Sequence, residues 1–167
     1  FMSNLQQIKK RYEEFIKDFR SLCFSSVDSR GWPQMGYAPF AEDEQRHFFV
    51  YLSDLASHTS ALRESQKASV LLIEDEAHAR EVFARKRIIF QCTAHQVPRE
   101  SDLWLSRMEN LKERFGDLVS TLQTLSDFHL FRLQPQSGTF ITGFGQAYSI
   151  TGERMDRLEH VLVEKRT

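Results

Sequence analysis

The 167-residue chain is predicted to fold as one mainly β domain of the α+β class, a small antiparallel barrel with helices at its periphery. Between residues 21 and 150, short runs rich in Val, Ile, Phe and Tyr alternate with turn residues, a pattern typical of antiparallel strands. Roughly six to eight such strands would leave exposed edges as an open sheet, whereas closure into a barrel removes them. Helical spacing of apolar residues outside these runs places helices around the barrel.

An amphipathic helix is expected over about residues 3–20, ahead of the barrel. Its apolar residues recur at helical spacing: Leu5, Ile8, Tyr12, Phe15, Ile16 and Phe19. Ser3 is placed to act as the N-cap, because its hydroxyl can accept a hydrogen bond from a backbone amide of the first turn. The apolar side of this helix is expected to cover an opening of the barrel or a partner subunit.

Four strands and a short helix are expected next. The strands are predicted at residues 22–27, 32–40, 47–52 and 68–74. A tight turn joins the first two as a hairpin, with Gly31 available for a positive φ. Residues 57–64 favour a short helix capped by Ser57. The run at 68–74 is apolar nearly throughout, which predicts a strand covered on both faces.

The second half begins with a strand predicted at residues 87–97, ended by Pro98. Ser101 supplies capping chemistry for the strongest helix, and another helix is expected at residues 118–125. The buried face of the first of these helices is marked by Leu103, Trp104, Met108, Leu111 and Phe115. Closing strands are predicted at residues 128–134, 138–142 and 144–150. The charged tail at about 153–167 is expected to be helical, and the single domain to span residues 2–167.

The charge balance and the motifs exclude several classes of function. With 22 Lys and Arg against 23 Asp and Glu, the formal net charge is −1, so no overall basic field draws the protein to nucleic acid or a membrane. Cys23 and Cys92 are far apart and flanked by apolar residues, which favours reduced thiols in a cytoplasmic protein. The sequence has no glycine-rich phosphate loop, nucleophile elbow or zinc-type cysteine or histidine pairs.

Few residues are candidates for chemistry on their own. None of the 6 histidines is paired with another at metal-ligand spacing, so a structural or surface role is the default for each. Arg85, Lys86 and Arg87 form a compact cationic group, where strand alternation sends both arginines to one face. Two guanidinium groups suit a phosphate or a pair of carboxylates, unless acidic residues at 74–76 neutralise them. Asp127 is placed either to orient a histidine or to cap the strand that follows.

Six segments together point to a family. They are GYAPF at 36–40, LLIEDE at 71–76, FARKR at 83–87, RFG at 114–116, DFHLFRLQP at 127–135 and GFGQAY at 143–148. In order and spacing these segments resemble the HugZ/HutZ-type haem-utilisation proteins, and the resemblance covers almost the whole chain. That group is a branch of the flavin-binding split-barrel superfamily, whose best-known enzyme is pyridoxamine 5′-phosphate oxidase.

The resemblance implies a homodimer of split β-barrels with a haem site in the cleft between subunits. Members of the family bind haem, and several open its ring oxidatively to release iron. By the same resemblance, Arg87 with Arg85 is expected to meet the haem propionates, and Asp127 to accept a hydrogen bond from the proximal histidine across the dimer. His58 matches a family histidine position, and Phe144 is expected to contact the cofactor. A haem-delivery protein is a further candidate partner.

The C-terminal segment departs from the family pattern. The axial histidine of the family lies in a GHRK-like tail, whereas this chain reads EKRT at residues 164–167, with Lys165 at about that position. His160 is the nearest substitute and the candidate metal ligand, although an offset of five residues requires a rearranged tail. Ligation through a different histidine and the absence of tight haem binding both stay open beside it.

Two further functions compete with haem degradation. A flavin-dependent oxidoreductase would hold the FMN phosphate with Arg85, Lys86 or Arg87, and pack Trp32 or Tyr37 near the isoalloxazine ring. A non-catalytic carrier or storage protein would bind haem or another tetrapyrrole without turning it over. A Soret band that persists under reductant and oxygen distinguishes such a carrier from an oxygenase.

Overall fold

The computed structural model describes residues 1–162, in which six antiparallel strands close into a barrel. The described residues form eight strands, of which the first six make up the barrel. They are β1 (Ser21–Val27), β2 (Pro33–Glu42), β3 (Phe48–Ser53), β4 (Lys67–Ile73), β5 (Arg87–Gln96), β6 (Phe128–Gly143), β7 (Gln146–Thr151) and β8 (Arg157–His160). The helices are α1 (Asn4–Lys17), α2 (Ser57–Ser65), α3 (Asp102–Phe115) and α4 (Asp117–Gln123). Single 3₁₀ turns at Glu76–His78 and Val82–Ala84 lie between β4 and β5.

The barrel closes because each of its six strands pairs with two neighbours. Following the hydrogen bonds around the ring gives the order β1, β2, β3, β6, β5, β4 and back to β1. All of these pairings are antiparallel, which confirms the predicted antiparallel barrel. β7 and β8 are added to the second half of β6, so the sheet continues outside the ring.

β6 is one continuous strand of 16 residues, so the prediction of two closing strands on either side of Pro135 is wrong. Pro135 lies opposite Cys92 and Ser137 opposite Gln91, which leaves Gln136 without a partner as a β-bulge. A bulge tolerates the missing N–H of proline, because the ladder is already interrupted at that point. The strand therefore passes through the proline instead of ending at it.

The helix expected at residues 153–167 is also wrong over residues 153–162, and residues 163–167 lie outside the described part of the chain. The chain reverses between Gly152 (φ +95°) and Met155 (φ +51°), and β8 then pairs antiparallel with β7. Met155 and Leu158 are buried in the core. A strand in this position satisfies the backbone groups at the edge of β7 while it buries Leu158, whereas a charged surface helix would leave that edge open.

α1 packs against the core of the barrel, at a cluster rich in aromatic side chains. Tyr12 and Phe15 each lie with their ring centroid 5.7 Å from that of Phe140. The Tyr12 hydroxyl donates a 2.7 Å hydrogen bond to the Met155 carbonyl, which joins α1 to the turn ahead of β8. Ser3 caps this helix as predicted.

α3 covers the outside of the barrel at β2, β3 and β6, and it begins after Ser101 as predicted. A second core forms there from buried residues of the helix and the barrel: Trp104, Met108, Leu111, Phe49 and Leu130. α2 begins at Ser57, but Ala56 occupies the N-cap position, so Ser57 does not cap it. Among residues 1–162, no helix is both long and apolar enough to cross a membrane.

An apolar face remains on the outside of β1, β2, β4 and β5. It consists of Cys23, Met35, Tyr37, Leu71 and Ile89, and the side chains of Met35 and Tyr37 each retain 65% exposure. These residues share one face because Cys23 lies opposite both Tyr37 and Leu71, and Leu71 lies opposite Ile89. The expectation that β4 is covered on both faces is wrong within one chain, since burial alternates along it.

We expect Gly138→Ala to destabilise the barrel. An added Cβ would lie 2.7 Å from Cδ1 of Phe90, closer than packed side-chain carbons approach. Overpacking of this kind costs about 1–3 kcal/mol, measured as the free energy of unfolding in urea. Gly143→Ala in the same strand is the matched control, because its Cβ would meet only the flexible side chain of Gln146. Equal stability of the two variants would contradict this account of β6.

Candidate functional site

The predicted site residues fall into two groups at opposite ends of β6. The Asp127 cluster holds Asp127 and His58 around Ser53, and the Arg87 cluster holds Arg85, Arg87, Phe144 and His160. Asp127 immediately precedes β6, whereas Arg87 lies opposite Ile141, near the far end of the strand. At about 3.3 Å per residue, these positions are roughly 45 Å apart along the strand. A single chain therefore does not bring the two clusters together.

Asp127 is held in place by the end of β3. The Ser53 hydroxyl donates a 3.0 Å hydrogen bond to Oδ2 of Asp127, and the Asp127 carbonyl accepts the Asp54 amide at 2.8 Å. Within residues 1–162 no histidine donates to this carboxylate, so a histidine partner would have to come from a second copy. Oδ1 of Asp127 is the atom left for that bond.

His58 lies in the first turn of α2, beside the same serine. Its ring packs edge-on against Phe24, with centroids 4.9 Å apart, and burial lowers the pKa of His58 below its ordinary value. The Thr59 hydroxyl donates to the Ser53 carbonyl at 2.7 Å, so Nδ1 of His58, 3.3 Å away, is the donor to that hydroxyl oxygen. The neutral imidazole then presents the lone pair of Nε2.

A hydrogen-bonded network around His129 adjoins this cluster. Nε2 of His129 donates to Asp54 at 2.7 Å, and the Gln96 amide donates to Nδ1 at 3.1 Å. Arg63 donates to both Asp54 (2.8 Å) and Gln96 (2.9 Å), and the bonds from Arg63 and His129 lower the pKa of Asp54. With both ring nitrogens engaged, His129 is a structural histidine. No sequence motif signals this network or Ser53, because Asp54 and His129 are 75 residues apart.

The two arginines of the Arg87 cluster differ in how far they are neutralised. Nε of Arg85 donates to the Glu74 carbonyl at 2.7 Å, and its Nη1 lies 3.7 Å from the Glu76 carboxylate. Nη1 of Arg87 donates to the Arg85 carbonyl at 2.8 Å, and no carboxylate within residues 1–162 forms an ion pair with Arg87. The acidic neighbours at 74–76 therefore compensate Arg85 but leave Arg87 as the available cation.

Lys86 lies on the opposite side from these arginines, with its Nζ 5.3 Å from the ring centroid of Phe15. Lys86 thus lies against α1. Of residues 85–87 only Arg87 belongs to β5, so the strand alternation expected there does not extend to Arg85 and Lys86. Arg87 shares the outer side of β5 with Ile89, two residues further on, so it borders the apolar face.

His160 lies at the same end of the sheet as Arg87 but on the opposite face, because its cross-strand row runs through Tyr148 and Phe140 to Ile88, the neighbour of Arg87. Arg87 lies opposite Ile141, Ile141 lies opposite Ala147, and the Val161 amide next to His160 donates to the Ala147 carbonyl. Three strand spacings of ~4.8 Å separate the outer two strands by roughly 15 Å. The two residues therefore lie at the same end of the sheet.

The imidazole of His160 is oriented by its own chain. Nε2 donates a 2.9 Å hydrogen bond to the Gly145 carbonyl, and the ring packs against Tyr148 with centroids 5.3 Å apart. A histidine whose one nitrogen donates to a carbonyl presents the other as a metal ligand, here Nδ1. Phe144, in the adjoining turn, is 69% exposed. The end of the sheet thus offers an imidazole on one face, a cation on the other and an exposed aromatic ring in the adjoining turn.

Residues 1–162 contain no group of three or more His, Cys, Asp or Glu side chains arranged to hold a metal ion. Lys165, which occupies the family's histidine position, lies outside the described residues.

Comparisons with known proteins agree with this architecture. The family model of pyridoxamine 5′-phosphate oxidase matches residues 8–142. Heme oxygenase HutZ of Vibrio cholerae is 40% identical over 160 residues, which cover 93% of this chain and 90% of HutZ. A crystal structure of HutZ, described as the heme storage protein of that organism, has a TM-score of 0.72 at 39% identity and covers 75% of this chain and 88% of its own.

The structure of ChuZ from Campylobacter jejuni has a TM-score of 0.82 at 25% identity; the match covers 96% of this chain and 64% of ChuZ. The shared architecture confirms the split barrel that the sequence motifs implied. The chain belongs to the pyridoxamine 5′-phosphate oxidase family and, within it, to the haem-utilisation branch that contains HutZ.

Proposed function

We propose that the protein binds haem, for the utilisation of haem iron in the cytoplasm, at a site formed between two copies of the chain. The observation that carries this proposal is the 40% identity to HutZ over 93% of the chain. HutZ is named both as a heme oxygenase and as a heme storage protein, and both functions begin with haem binding. The two free cysteines, Cys23 and Cys92, support a reducing compartment.

The Arg87 cluster supplies the groups that haem recognition requires. The guanidinium of Arg87, free of ion pairs within residues 1–162, is suited to a propionate carboxylate. Nδ1 of His160 is suited to the iron, and because His160 is on the opposite face from Arg87, one haem would meet both residues around the end of the strands. The exposed ring of Phe144, in the turn at that end, is suited to the apolar macrocycle. Arg85 supports Arg87 through its carbonyl and contributes a partly neutralised charge.

The Asp127 cluster supplies hydrogen-bonding groups for the other side of the site. Ser53 occupies Oδ2 of Asp127, so we assign Oδ1 to accept an N–H or O–H next to the iron. His58 presents a neutral Nε2 that can hold a proton from solvent or from a bound molecule. Bound haem would supply the oxygen chemistry of ring opening. Asp127 would orient a hydrogen-bond donor next to the iron, and His58 would hold a proton.

The separation of the two clusters supports a homodimer. In the dimer that we propose, a two-fold axis would place the Asp127 cluster of one copy beside the Arg87 cluster of the other, and would do so twice. The apolar face borders Arg87 and exposes Met35 and Tyr37 to solvent in a single chain. Its burial against a second copy would supply the hydrophobic association that a stable dimer needs. A haem-delivery protein is the other partner we propose.

Titration with hemin, followed by absorbance, tests the haem site. We expect a saturable Soret band for the wild type, and about 10- to 100-fold weaker binding for Arg87→Met, because a charge-assisted hydrogen bond is lost. His160→Gln should shift the band, since it removes the axial nitrogen. Arg30→Met is the matched control, because Arg30 pairs with Asp28 on the surface.

Ascorbate and oxygen, added to the complex, separate the two functions named for HutZ. Bleaching of the band indicates degradation, and Asp127→Asn should then slow the bleaching while it retains haem. A stable band indicates storage. Tight binding of FMN with no saturable hemin binding would overturn the proposal in favour of a flavin enzyme.

We expect Leu71→Glu to convert a dimer into a monomer, because it places a charge at the centre of the apolar face. Sedimentation velocity at micromolar concentration gives the mass directly. Leu118→Glu on α4 is the control, because Leu118 is 67% exposed and lies outside that face. The monomeric variant should also lose haem binding. A wild type that sediments as a monomer would refute the shared site.

A further inference from the structure

A polar cavity lies between α3 and the outside of the barrel. It is an open cleft of about 750 Å³, within the size range of sites for small organic molecules. Its walls include Arg107, Asn110 and Arg114 from α3, Arg132 from β6, and His47 and Phe49 at the start of β3. This α3 cavity shares no lining residue with the Asp127 cluster or the Arg87 cluster.

None of its three arginines forms an ion pair within residues 1–162, and they differ in their hydrogen bonds: Arg114 donates to the carbonyls of Phe40 and Phe19, whereas Arg107 and Arg132 are less well satisfied. Within residues 1–162, neither Arg107 nor Arg132 forms an ion pair, and the Nε atom of each is buried without a hydrogen-bond partner. Nη1 of Arg107 donates to Oδ1 of Asn110 at 2.8 Å, and Arg132 makes no side-chain hydrogen bond in that part of the chain. A partly buried guanidinium without a counter-charge is costly, and an anion bound in the cavity would offset that charge.

The acidic residues of the same cavity are already engaged. Glu42 accepts a 3.0 Å bond from Arg46, which also pairs with Glu13. Asp43 lies 3.1 Å from the imidazole of His47 and accepts that residue's backbone amide at 2.9 Å. Arg46 also has a buried Nε without a partner, but it differs from the two cavity arginines because its charge is compensated. Glu44, the remaining acidic residue of the lining, is exposed and forms no ion pair within residues 1–162.

Arg107 and Arg132 flank one aromatic ring. The guanidinium carbon of Arg107 lies 5.3 Å from the ring centroid of Phe49, and Arg132 is the cross-strand partner of Phe49. Stacking holds a planar guanidinium in one orientation, and a cross-strand neighbour stands on the same side of the sheet. Both groups are therefore presented to the cavity on a rigid surface.

We infer that the α3 cavity binds a small organic anion through phosphate or carboxylate oxygens, with Arg107 and Arg132 as the two binding groups. A guanidinium donates two parallel hydrogen bonds to either oxyanion, so the chemistry shared by both ligand types is a planar pair of acceptor oxygens. Asn110 orients Arg107, and Phe49 forms the floor beneath it. The site is independent of haem, because none of its residues belongs to the proposed haem site.

Titration of the haem-free full chain with citrate, and separately with inorganic pyrophosphate, tests this site. Ionic strength is held constant with NaCl, and binding is followed by calorimetry and by the melting temperature. We expect saturable binding of at least one probe, with Tm raised by about 5–10 °C at 100-fold excess over Kd. Tighter citrate binding assigns a polycarboxylate ligand, and tighter pyrophosphate binding a phosphate ligand; either result supports the site.

The double variant Arg107→Met/Arg132→Met should bind about 100-fold more weakly than the wild type. Its melting temperature without ligand should equal or exceed that of the wild type, because two uncompensated charges are replaced by apolar groups. Lys112→Met, which removes one exposed charge from the same helix, should leave binding unchanged.

If the double variant does not fold, Arg132→Lys keeps the charge and removes the paired donors, and it should weaken binding at least about 10-fold. Absence of saturable binding to the wild type would overturn the inference. So would equal binding by the arginine variants, or an equal loss in Lys112→Met.

Discussion

The length of β6 is the constraint on which the rest of the structure depends. Its first half closes the barrel between β3 and β5, and its second half leaves the ring to carry β7 and β8. The bulge at Gln136 lets the strand change direction without breaking, and Gly138 lets it pass close to Phe90. The eight-stranded sheet thus consists of a closed six-stranded barrel and an open extension of two further strands.

The same strand separates the groups that the haem site would need. Asp127 stands where β6 begins, and Arg87 and His160 stand where the extension ends. Each end is built by its own local contacts, through Ser53 at one and Gly145 at the other, so both are ordered before any association. In the proposed dimer, a two-fold assembly would complete two sites from one pair of surfaces, and a change at either end would affect both sites equally.

The sequence predicted correctly those features that depend on residues close together in the chain. Ser3 and Ser101 fixed the starts of α1 and α3, because capping and helical periodicity operate within one turn. Pro135 misled the prediction, since a proline indicates a break unless the facing strand supplies a bulge. The tail was misjudged because Leu158 finds its place only against distant strands. Arg87 stood out by its neighbours in sequence, but Arg107 and Arg132 meet from separate elements and carry no shared motif.

The position of β8 at the edge of the sheet has a kinetic consequence. It spans only Arg157–His160 and pairs with β7 alone, so it is among the strands that open most readily by local fluctuation. With His160 as the proposed iron ligand, the lifetime of the iron bond would depend on fraying of these four residues. Cofactor exchange would then need no unfolding of the barrel, and the bond from Tyr12 to the Met155 carbonyl would set how far that fraying spreads.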